Sequence, residues 1–238
     1  MNIKLVKRNV VLGILFLLPV TFLLFLYPST HNYNPLDIVN EHVAELHNAI
    51  SDTNDTIVLK DNLTVLGFFG THPMNNLIAT SNLKELVYDK FKGFKHFQIV
   101  IVLPENTQNE AKVLKKEISR YEDLKYWHFV FVQPNDIETL YNSLIFDKPL
   151  NTNLSTDQVF IIDKDLSQRG RLDDRTDREL KSETSIYSLN SYNCLEVAEI
   201  KNKMSEDVRI LFTEYRQKRN GNFNSSSRRD DQIKKQDE

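Results

Sequence analysis

One short segment, His72-Pro73-Met74-Asn75-Asn76, brings together two side chains that could do metal chemistry. The imidazole of His72 and the thioether of Met74 are both ligands that copper accepts. Two ligands two residues apart do not complete a metal site, and the sequence indicates no third ligand. His72 and Met74 therefore predict at most a weak metal contact, and we expect no cofactor.

Cysteine chemistry is restricted because the 238-residue chain contains one cysteine, Cys194. A single thiol excludes an intrachain disulfide, a CxxC redox motif and a zinc-finger spacing. We expect Cys194 to be a small residue at the start of a helix, with a disulfide between two chains as the alternative. The sequence also lacks the G-x-S-x-G, P-loop, H-E-x-x-H and dinucleotide-binding glycine patterns, so it indicates no enzyme class.

The charged residues do not indicate a nucleic-acid partner. There are 30 basic and 33 acidic residues, a net charge of -3, so no strong basic field is expected. The densest charged stretch mixes both signs, which predicts a solvated, self-compensating turn and not a calcium loop. Its members are Asp163, Asp165, Asp173, Asp174 and Asp177 with Arg169, Arg171, Arg175 and Arg178. His128 lies in an apolar run, and we expect it to be a half-buried strand residue.

The N-terminal region predicts a membrane anchor. Val10–Tyr27 contains no charged residue, and at about 1.5 Å per residue it reaches roughly 27 Å, close to the thickness of a hydrocarbon core. Lys4, Lys7 and Arg8 precede this run, so the positive-inside rule places the N-terminus in the cytoplasm and the rest of the chain outside it. A cleaved signal peptide is the alternative, but the exit at Tyr27-Pro28-Ser29 is a poor cleavage site.

Beyond this run, four apolar segments rich in β-branched and aromatic residues predict buried strands with helices on both sides. They are Leu63–Phe69, Phe97–Leu103, Trp127–Val132 and Val159–Ile162. Helical periodicity fills the intervals between them, and two capping-box patterns, Thr107-x-x-Glu110 and Asn135-x-x-Glu138, begin helices there. After the fourth strand, residues 164–167 predict a tight turn, Gln168–Leu172 a return strand and Leu195–Lys218 a last helix.

This order of elements predicts an α/β fold with right-handed crossovers. Residues 1–9 are expected to form a cytoplasmic N-terminus, 10–27 a transmembrane helix, 28–55 a juxtamembrane linker, 56–220 the folded domain and 221–238 a disordered tail. Within the linker, apolar residues recur at helical spacing and predict a helix over Leu36–Ile50.

Two segments resemble the thioredoxin-like SCO/SenC proteins, in particular divergent membrane members from Bacteroidetes. LKDNLTVLGFFGTHPMNNL (residues 59–77) is similar to the family's first strand and the loop after it, which reads F-x-x-C-P-x-x-x-C or a near variant. VFIIDKDLSQRGRLDD (residues 159–174) is similar to the family's hairpin. The resemblance covers about residues 55–215. It implies a thioredoxin-like fold, with a central mixed sheet, helices on both faces and a closing β-hairpin and helix. It also implies a single-pass protein of the bacterial inner membrane with its domain in the periplasm.

The resemblance further implies that the family's chemistry is lost. Family members bind copper through two loop cysteines and a histidine that precedes the hairpin. The first cysteine position falls on His72 and the proline after it on Pro73. The second cysteine position falls on Asn76, and the histidine position falls near Ser155 or Asp157. None of the three ligand types is retained, and disulfide exchange requires a thiol pair.

We therefore expect a membrane-anchored, non-catalytic binding or assembly module whose partner is another envelope protein. A copper-binding or thiol–disulfide redox protein with a degenerate site is the first alternative. The second alternative is an enzyme of another type that uses the region near His72, with Asp157 or Tyr141.

Overall fold

The first described element is an N-terminal helix, α1 (Ile3–Leu26), whose large apolar side chains from Val11 to Phe25 are exposed. The computed structural model describes residues 3–26, 35–47, 49–120 and 123–221. The chain divides between Asn34 and Pro35 into two units. Within the described parts of the chain, none of the helices combines the length and the apolar character that crossing a membrane requires. The end of the predicted span at Tyr27 and the predicted tail after Gly221 lie outside the described residues.

The second unit is built on a mixed sheet, which has eight strands among the described residues. Across the sheet the order is β1-β7-β6-β3-β4-β5-β2, and β8 pairs with β6. The strands are β1 (Asp37–Asn40), β2 (Ile50–Ser51), β3 (Leu63–Phe69), β4 (Phe97–Pro104), β5 (Trp127–Val132), β6 (Ser155–Ile162), β7 (Gln168–Gly170) and β8 (Tyr192–Asn193).

Strand direction makes this fold thioredoxin-like. The central strand β3 is parallel to β4, and β4 is parallel to β5. On its other side β3 pairs antiparallel with β6, which turns back into β7 as a hairpin. A long helix, the last element among the described residues, then packs on the sheet. The predicted bounds of β3 and β5 are confirmed, whereas the predicted return strand Gln168–Leu172 ends at Gly170.

Helices cover both faces of the sheet. The first core lies under α2 (Leu77–Leu83), α3 (Asp89–Phe91), α4 (Gln108–Ile118) and α8 (Ser205–Arg219). The second core lies under α5 (Pro134–Asn142) and the segment 43–59. Successive residues of β3 alternate between the cores, with Val65 and Phe69 in the first and Leu66 and Phe68 in the second. A strand that is buried on both faces shows the continuous apolar sequence from which β3 was predicted.

The predicted helix over Leu36–Ile50 is wrong. β1 pairs with β7 at one edge of the sheet, and β2 pairs with β5 at the other. Between them Val43 and Leu46 are buried in the second core. The carboxylate of Glu45 accepts the N–H groups of Leu59 at 2.7 Å and Lys60 at 2.8 Å. The Glu45 side chain therefore satisfies backbone N–H groups of a distant segment, and the second compact unit begins at Pro35.

Neither predicted capping box forms. Thr107 precedes α4 without a capping bond, and its hydroxyl donates to the carbonyl of Pro104 at 2.7 Å. The helix predicted to begin at Asn135 begins one residue earlier, at Pro134. A capping box does occur at Thr176, which exchanges hydrogen bonds with Glu179 at the start of α6 (Asp177–Lys181). The last helical region, predicted as one helix over Leu195–Lys218, runs from α7 (Val197–Glu199) through a π-helical turn, Ile200–Met204, into α8.

The charged stretch predicted to be a solvated turn is partly buried. Arg169 is 4% exposed, and its guanidinium contacts Asp163 at 2.9 Å and Glu214 at 2.8 Å. The same group donates to the carbonyl of Leu36 at 2.7 Å. The charges lie inside the protein because two carboxylates and a carbonyl replace the water around one guanidinium. We call Arg169, Asp163, Glu214 and the Leu36 carbonyl the buried ion cluster.

Candidate functional site

The loop after β3 begins with a sharp change of direction at Gly70. Its φ of +65° is a left-handed value that favours glycine. A β-carbon at this position would lie 2.1 Å from the carbonyl oxygen of Asn153. The N–H of Thr71 donates to that same oxygen at 2.9 Å. The loop is therefore fixed against the 151–155 segment through a contact that only glycine permits.

Asn151 organises the facing segment. Its side-chain oxygen accepts the N–H groups of Asn153 and Ser155, both at 2.9 Å, and its Nδ2 donates to the Ser155 hydroxyl at 2.7 Å. Inside this turn Leu154 has a φ of +59°, which is strained for a bulky side chain. Ser155 then pairs with Phe69 at the end of β3. The 151–155 segment thus lies beside the end of β3 from which the loop departs.

His72 and Pro73 occupy the exposed and the buried side of this loop. His72 has a side chain 60% exposed, and its Nδ1 lies 3.6 Å from Glu110 Oε1 on α4. Pro73 is buried and begins a 3-10 turn, Pro73–Asn76, while Met74 is half-buried against the first core. Among the described residues, no three His, Cys, Asp or Glu side chains are grouped so that they could hold a metal ion.

Asn76 closes the loop. Its Nδ2 donates to the carbonyl of Phe69 at 3.1 Å. Its own carbonyl accepts the hydroxyl of Thr80 at 2.7 Å, within the first turn of α2. An amide and a hydroxyl therefore connect the two ends of the loop, and they supply structure without a nucleophile.

Cys194 follows β8 and is not at the start of a helix, since α7 begins at Val197. The residue is fully buried, and its Sγ donates to the carbonyl of Asp157 at 2.9 Å. Burial raises the pKa of the Cys194 thiol to about 12. The thiolate is the reactive form of cysteine, so at neutral pH this thiol is chemically quiet.

Exposed apolar side chains lie on both sides of the contact between α2 and the Cys194 segment. Asn82 Nδ2 donates to the carbonyl of Cys194 at 3.0 Å. Ile78 is one helical turn before Asn82 on the same side of α2, and it is 66% exposed. We call the exposed set the apolar rim: Leu77, Ile78, Leu195 and Val197.

Tyr141, Asp157 and His128, which the sequence also singled out, make packing contacts or hydrogen bonds within the fold. Tyr141 packs edge-on against Phe68 with ring centroids 5.2 Å apart, and its hydroxyl donates to the carbonyl of Lys148 at 2.6 Å. Burial raises the pKa of Tyr141. Asp157 offers its carbonyl to Cys194. His128 is half-buried in β5, and burial lowers its pKa.

Sequence reasoning missed the residues that hold the loop, which are Gly70, Asn151 and Asn153. The run Asn151-Thr152-Asn153-Leu154-Ser155 is dense in residues that bond to their own backbone in turns, and this was a usable signal. The contact of Asn153 with Gly70 joins residues far apart in sequence, and nothing local indicates it.

No family model matches the chain, and no curated protein matches it. Among solved structures, the chain is similar to BsSco, described as a member of the Sco family of cytochrome c oxidase assembly proteins, with 16% identity over 74% of this chain and 96% of that chain and a TM-score of 0.48. It is also similar to a putative protein disulfide isomerase from Bacteroides thetaiotaomicron, with 8% identity, 76% and 92% coverage and a TM-score of 0.43. For yeast Sco1 with copper bound, the identity is 9%, the coverage 70% and 87%, and the TM-score 0.42. The thioredoxin-like fold of this chain is assigned from its own strand order and its closing hairpin and helix.

Proposed function

We propose that the chain is a membrane-tethered, non-catalytic binding module that faces the periplasm and docks an envelope protein at the loop after β3. The observation that carries this proposal is the loop itself. Gly70 permits the close approach to Asn153, Thr71 and Asn76 donate the hydrogen bonds that hold the loop, and none of the three carries a thiol or an imidazole. A loop whose shape is fixed and whose surface is open suits recognition.

The thiol supports the non-catalytic part of the proposal. Disulfide exchange proceeds by attack of a thiolate and requires a second sulfur. Cys194 is the one cysteine in the sequence, and burial raises its pKa to about 12. The protein would therefore act through surface contacts.

The apolar rim supports the position of the docking surface. Apolar side chains that are grouped and exposed on a folded domain are typical of protein–protein contacts. Ile78 lies at the start of α2, the helix that follows the loop, and Leu195 directly follows Cys194, whose carbonyl accepts the Asn82 amide near the end of α2. A partner with a complementary apolar patch would cover them.

Site-specific photo-crosslinking of the full chain in its own membrane tests this docking surface. We expect a photoreactive residue in place of Ile78 to capture one partner protein, and the change Leu195→Asp to weaken that capture. Val58, which is 45% exposed beside the beginning of β3, is the matched control position. Equal capture from position 58, or capture that Leu195→Asp leaves unchanged, would remove the support for docking at the rim.

The membrane tether is proposed from the sequence. The uncharged part of α1, residues 10–26, rises roughly 25 Å at about 1.5 Å per residue, somewhat less than a hydrocarbon core of about 30 Å. A span would therefore include Tyr27. Alkaline carbonate extraction of cell membranes tests this: we expect the full-length chain to stay with the lipid. A shortened chain released into the periplasm would identify the signal-peptide alternative instead.

The alternative, a copper site with a degenerate ligand set, would begin from His72 and its neighbour Glu110 at 3.6 Å. Copper titration of the full chain separates the two functions. A binding module predicts no stoichiometric tight binding. Tight binding of one copper ion that His72→Ala abolishes would favour the alternative.

A further inference from the structure

A basic groove lies at the opposite end of β3 from the loop. Its cavity measures about 520 Å³ and is lined by cations from three separate segments. Lys95 belongs to the turn before β4, Lys164 to the turn between β6 and β7, and Arg216, Lys218 and Arg219 to the last turns of α8. Since β3 and β4 are parallel and β6 is antiparallel to β3, both turns lie at the beginning of β3.

An aromatic surface supports the cations of this basic groove. Phe94 is 38% exposed and stacks on Phe212 with ring centroids 4.2 Å apart. Phe212 in turn stacks on Phe91 of the first core at 5.7 Å. The ammonium group of Lys164 lies 4.9 Å from the ring centre of Tyr215. An exposed phenylalanine on a rigid base, surrounded by lysine and arginine, is the composition that enters the headgroup region of a bilayer.

Most of these cations have no carboxylate partner among the described residues. Lys218 pairs with Glu214 at 2.7 Å. Lys95, Lys164, Arg216 and Arg219 make no ion pair with a carboxylate among the described residues. Two acidic residues lie close to these cations: Glu214, through its pair with Lys218, and Asp61, whose N–H donates to the Lys164 carbonyl at 3.0 Å.

The dipole of α8 explains only some of these cations, namely those near the carboxyl end of that helix. The partial negative charge of a helix end, about half an elementary charge, favours basic residues in the last turn. Arg216, Lys218 and Arg219 satisfy that preference, but Lys95 and Lys164 come from other segments. The excess of positive charge therefore indicates an external anion.

The basic groove is joined to the beginning of the domain through consecutive contacts. Lys218 contacts Glu214, Glu214 contacts Arg169, and Arg169 contacts the carbonyl of Leu36. Leu36 is the second residue of the unit, and eight residues, 27–34, separate that unit from the end of α1 at Leu26.

We propose that the basic groove binds the phosphate headgroups of anionic phospholipids, with Phe94 entering the headgroup layer. This orientation rests on the proposed membrane tether. It holds the domain against the membrane surface and leaves the loop after β3, with its apolar rim, directed away from the lipid. Small inorganic phosphate offers the same chemistry without a surface, and the test separates the two.

The test uses the full chain with Phe94→Trp, reconstituted in vesicles whose lipids carry a quencher near the headgroup. Trp127 is fully buried and gives a constant background. We expect quenching of the new indole in vesicles that contain phosphatidylglycerol and little in phosphatidylcholine alone. The pair Lys164→Gln and Arg216→Gln should lower the ratio of docked to undocked chains by about fivefold for each charge removed. The pair Lys112→Gln and Lys116→Gln on α4 removes the same charge elsewhere and should change nothing.

Three outcomes would overturn the proposal: equal quenching in neutral vesicles, quenching that the Lys164 and Arg216 changes leave intact, or quenching lost when the chain is ended at Gly221. The last result would assign lipid binding to the basic residues of 222–238. Relief of quenching by inorganic phosphate at constant ionic strength would identify a small-phosphate site instead. Failure of the tether is distinguishable, because carbonate would then extract the chain even where anionic lipid quenches the indole.

Discussion

Gly70 determines whether the loop after β3 can meet the segment opposite it. A methyl group at this residue would have to share space with the carbonyl oxygen of Asn153, 2.1 Å away, and with the β-carbon of Ser155, 2.9 Å away. Both neighbours are held, the first by the N–H of Thr71 and the second by pairing with Phe69. Because neither can yield easily, the backbone itself would have to move.

We predict that Gly70→Ala lowers the free energy of unfolding by about 3 kcal/mol or more, through left-handed strain and steric overlap. Urea unfolding of the full chain in mild detergent, followed by Trp127 fluorescence, measures it. Gly93→Ala is the matched control, because nothing lies within 4 Å of a β-carbon there, and it should stay within about 0.5 kcal/mol of the parent. Similar losses for both variants would show that the Asn153 contact is not what requires glycine.

A second prediction concerns the reactivity of Cys194. Burial raises the pKa of its thiol from 9.0 to about 12, so the thiolate fraction at a given pH falls by about 1000-fold. We expect iodoacetamide to label the folded chain far more slowly than the urea-unfolded chain. Mass spectrometry after timed quenching measures the two rates. Rapid labelling of folded protein would mean that the sulfur is accessible and that thiol chemistry must be reconsidered.

At the scale of elements, β1 is attached to the sheet by a strand pairing and by the buried ion cluster. β1 is short, and its four residues are only half-buried. Its antiparallel pairing with β7 is reinforced where Arg169 donates to the Leu36 carbonyl and where the Asp37 carboxylate accepts the N–H of Leu172 at 3.1 Å. A single guanidinium thus connects this edge to the hairpin and to α8.

We predict that Arg169→Leu destabilises the protein by about 3–5 kcal/mol, because it leaves the buried Asp163 carboxylate without its cation and leaves Glu214 with Lys218 alone. Hydrogen exchange should rise first in β1. Arg209→Leu removes an exposed ion pair with Glu206 and should cost no more than about 1 kcal/mol. Comparable losses from the two variants would contradict a special role for the buried ion cluster.

The sequence predicts the strands that are buried by a hydrophobic core on both faces. β3 and β5 are inner strands of a sheet with a core on each face, and their continuous apolar runs indicate that burial without help from any other segment. Residues 36–50 behave differently because Val43, Leu46 and Ala49 are buried by a chain that has no regular structure there. Their spacing imitates a helix, while the bonds from Glu45 to Leu59 and Lys60 connect residues that no local pattern relates.

In the candidate site, too, the features that depend on local sequence were predicted and those that depend on distant contacts were not. The position of the loop after β3 follows from the sequence, because His72 and Pro73 come directly after an apolar strand. The bonds of Asn151 and the contact of Asn153 with Gly70 depend on how distant segments meet, so they required the structure. The basic groove was missed for the same reason, since its cations are spread over more than a hundred residues and the net charge of the chain is negative.

At the scale of the whole molecule, a buried thiol and two buried phenols determine how the stability of the protein changes at alkaline pH. Burial raises the pKa of Cys194 to about 12 and raises the pKa of Tyr192 and Tyr215. The folded state therefore keeps protons that the unfolded state releases, and stability must fall as the pH rises above the unfolded values, near 9 for the thiol and 10 for the phenols.

We predict that the free energy of unfolding falls from about pH 9 upward, by about 1.4 kcal/mol per pH unit for each such group. Cys194→Ala should remove the contribution of the thiol to that slope, which lies between pH 9 and the raised pKa of about 12. Denaturant unfolding at a series of pH values measures the slope. A parent protein whose stability stays flat above pH 9 would contradict these burial effects.

The manner in which β1 joins the sheet also decides how the domain would respond to mechanical force. A pull on the chain ahead of Pro35 would first load the bond from Arg169 to the Leu36 carbonyl and then the pairing of Asp37 with Gly170. Because β1 is an antiparallel edge strand, its pairs would open one after another from the pulled end, and no two would have to break together. The inner strands β6, β3, β4 and β5 would keep their own pairings while β1 separated from β7. Under such a pull, β1 would detach before the rest of the folded domain unfolded.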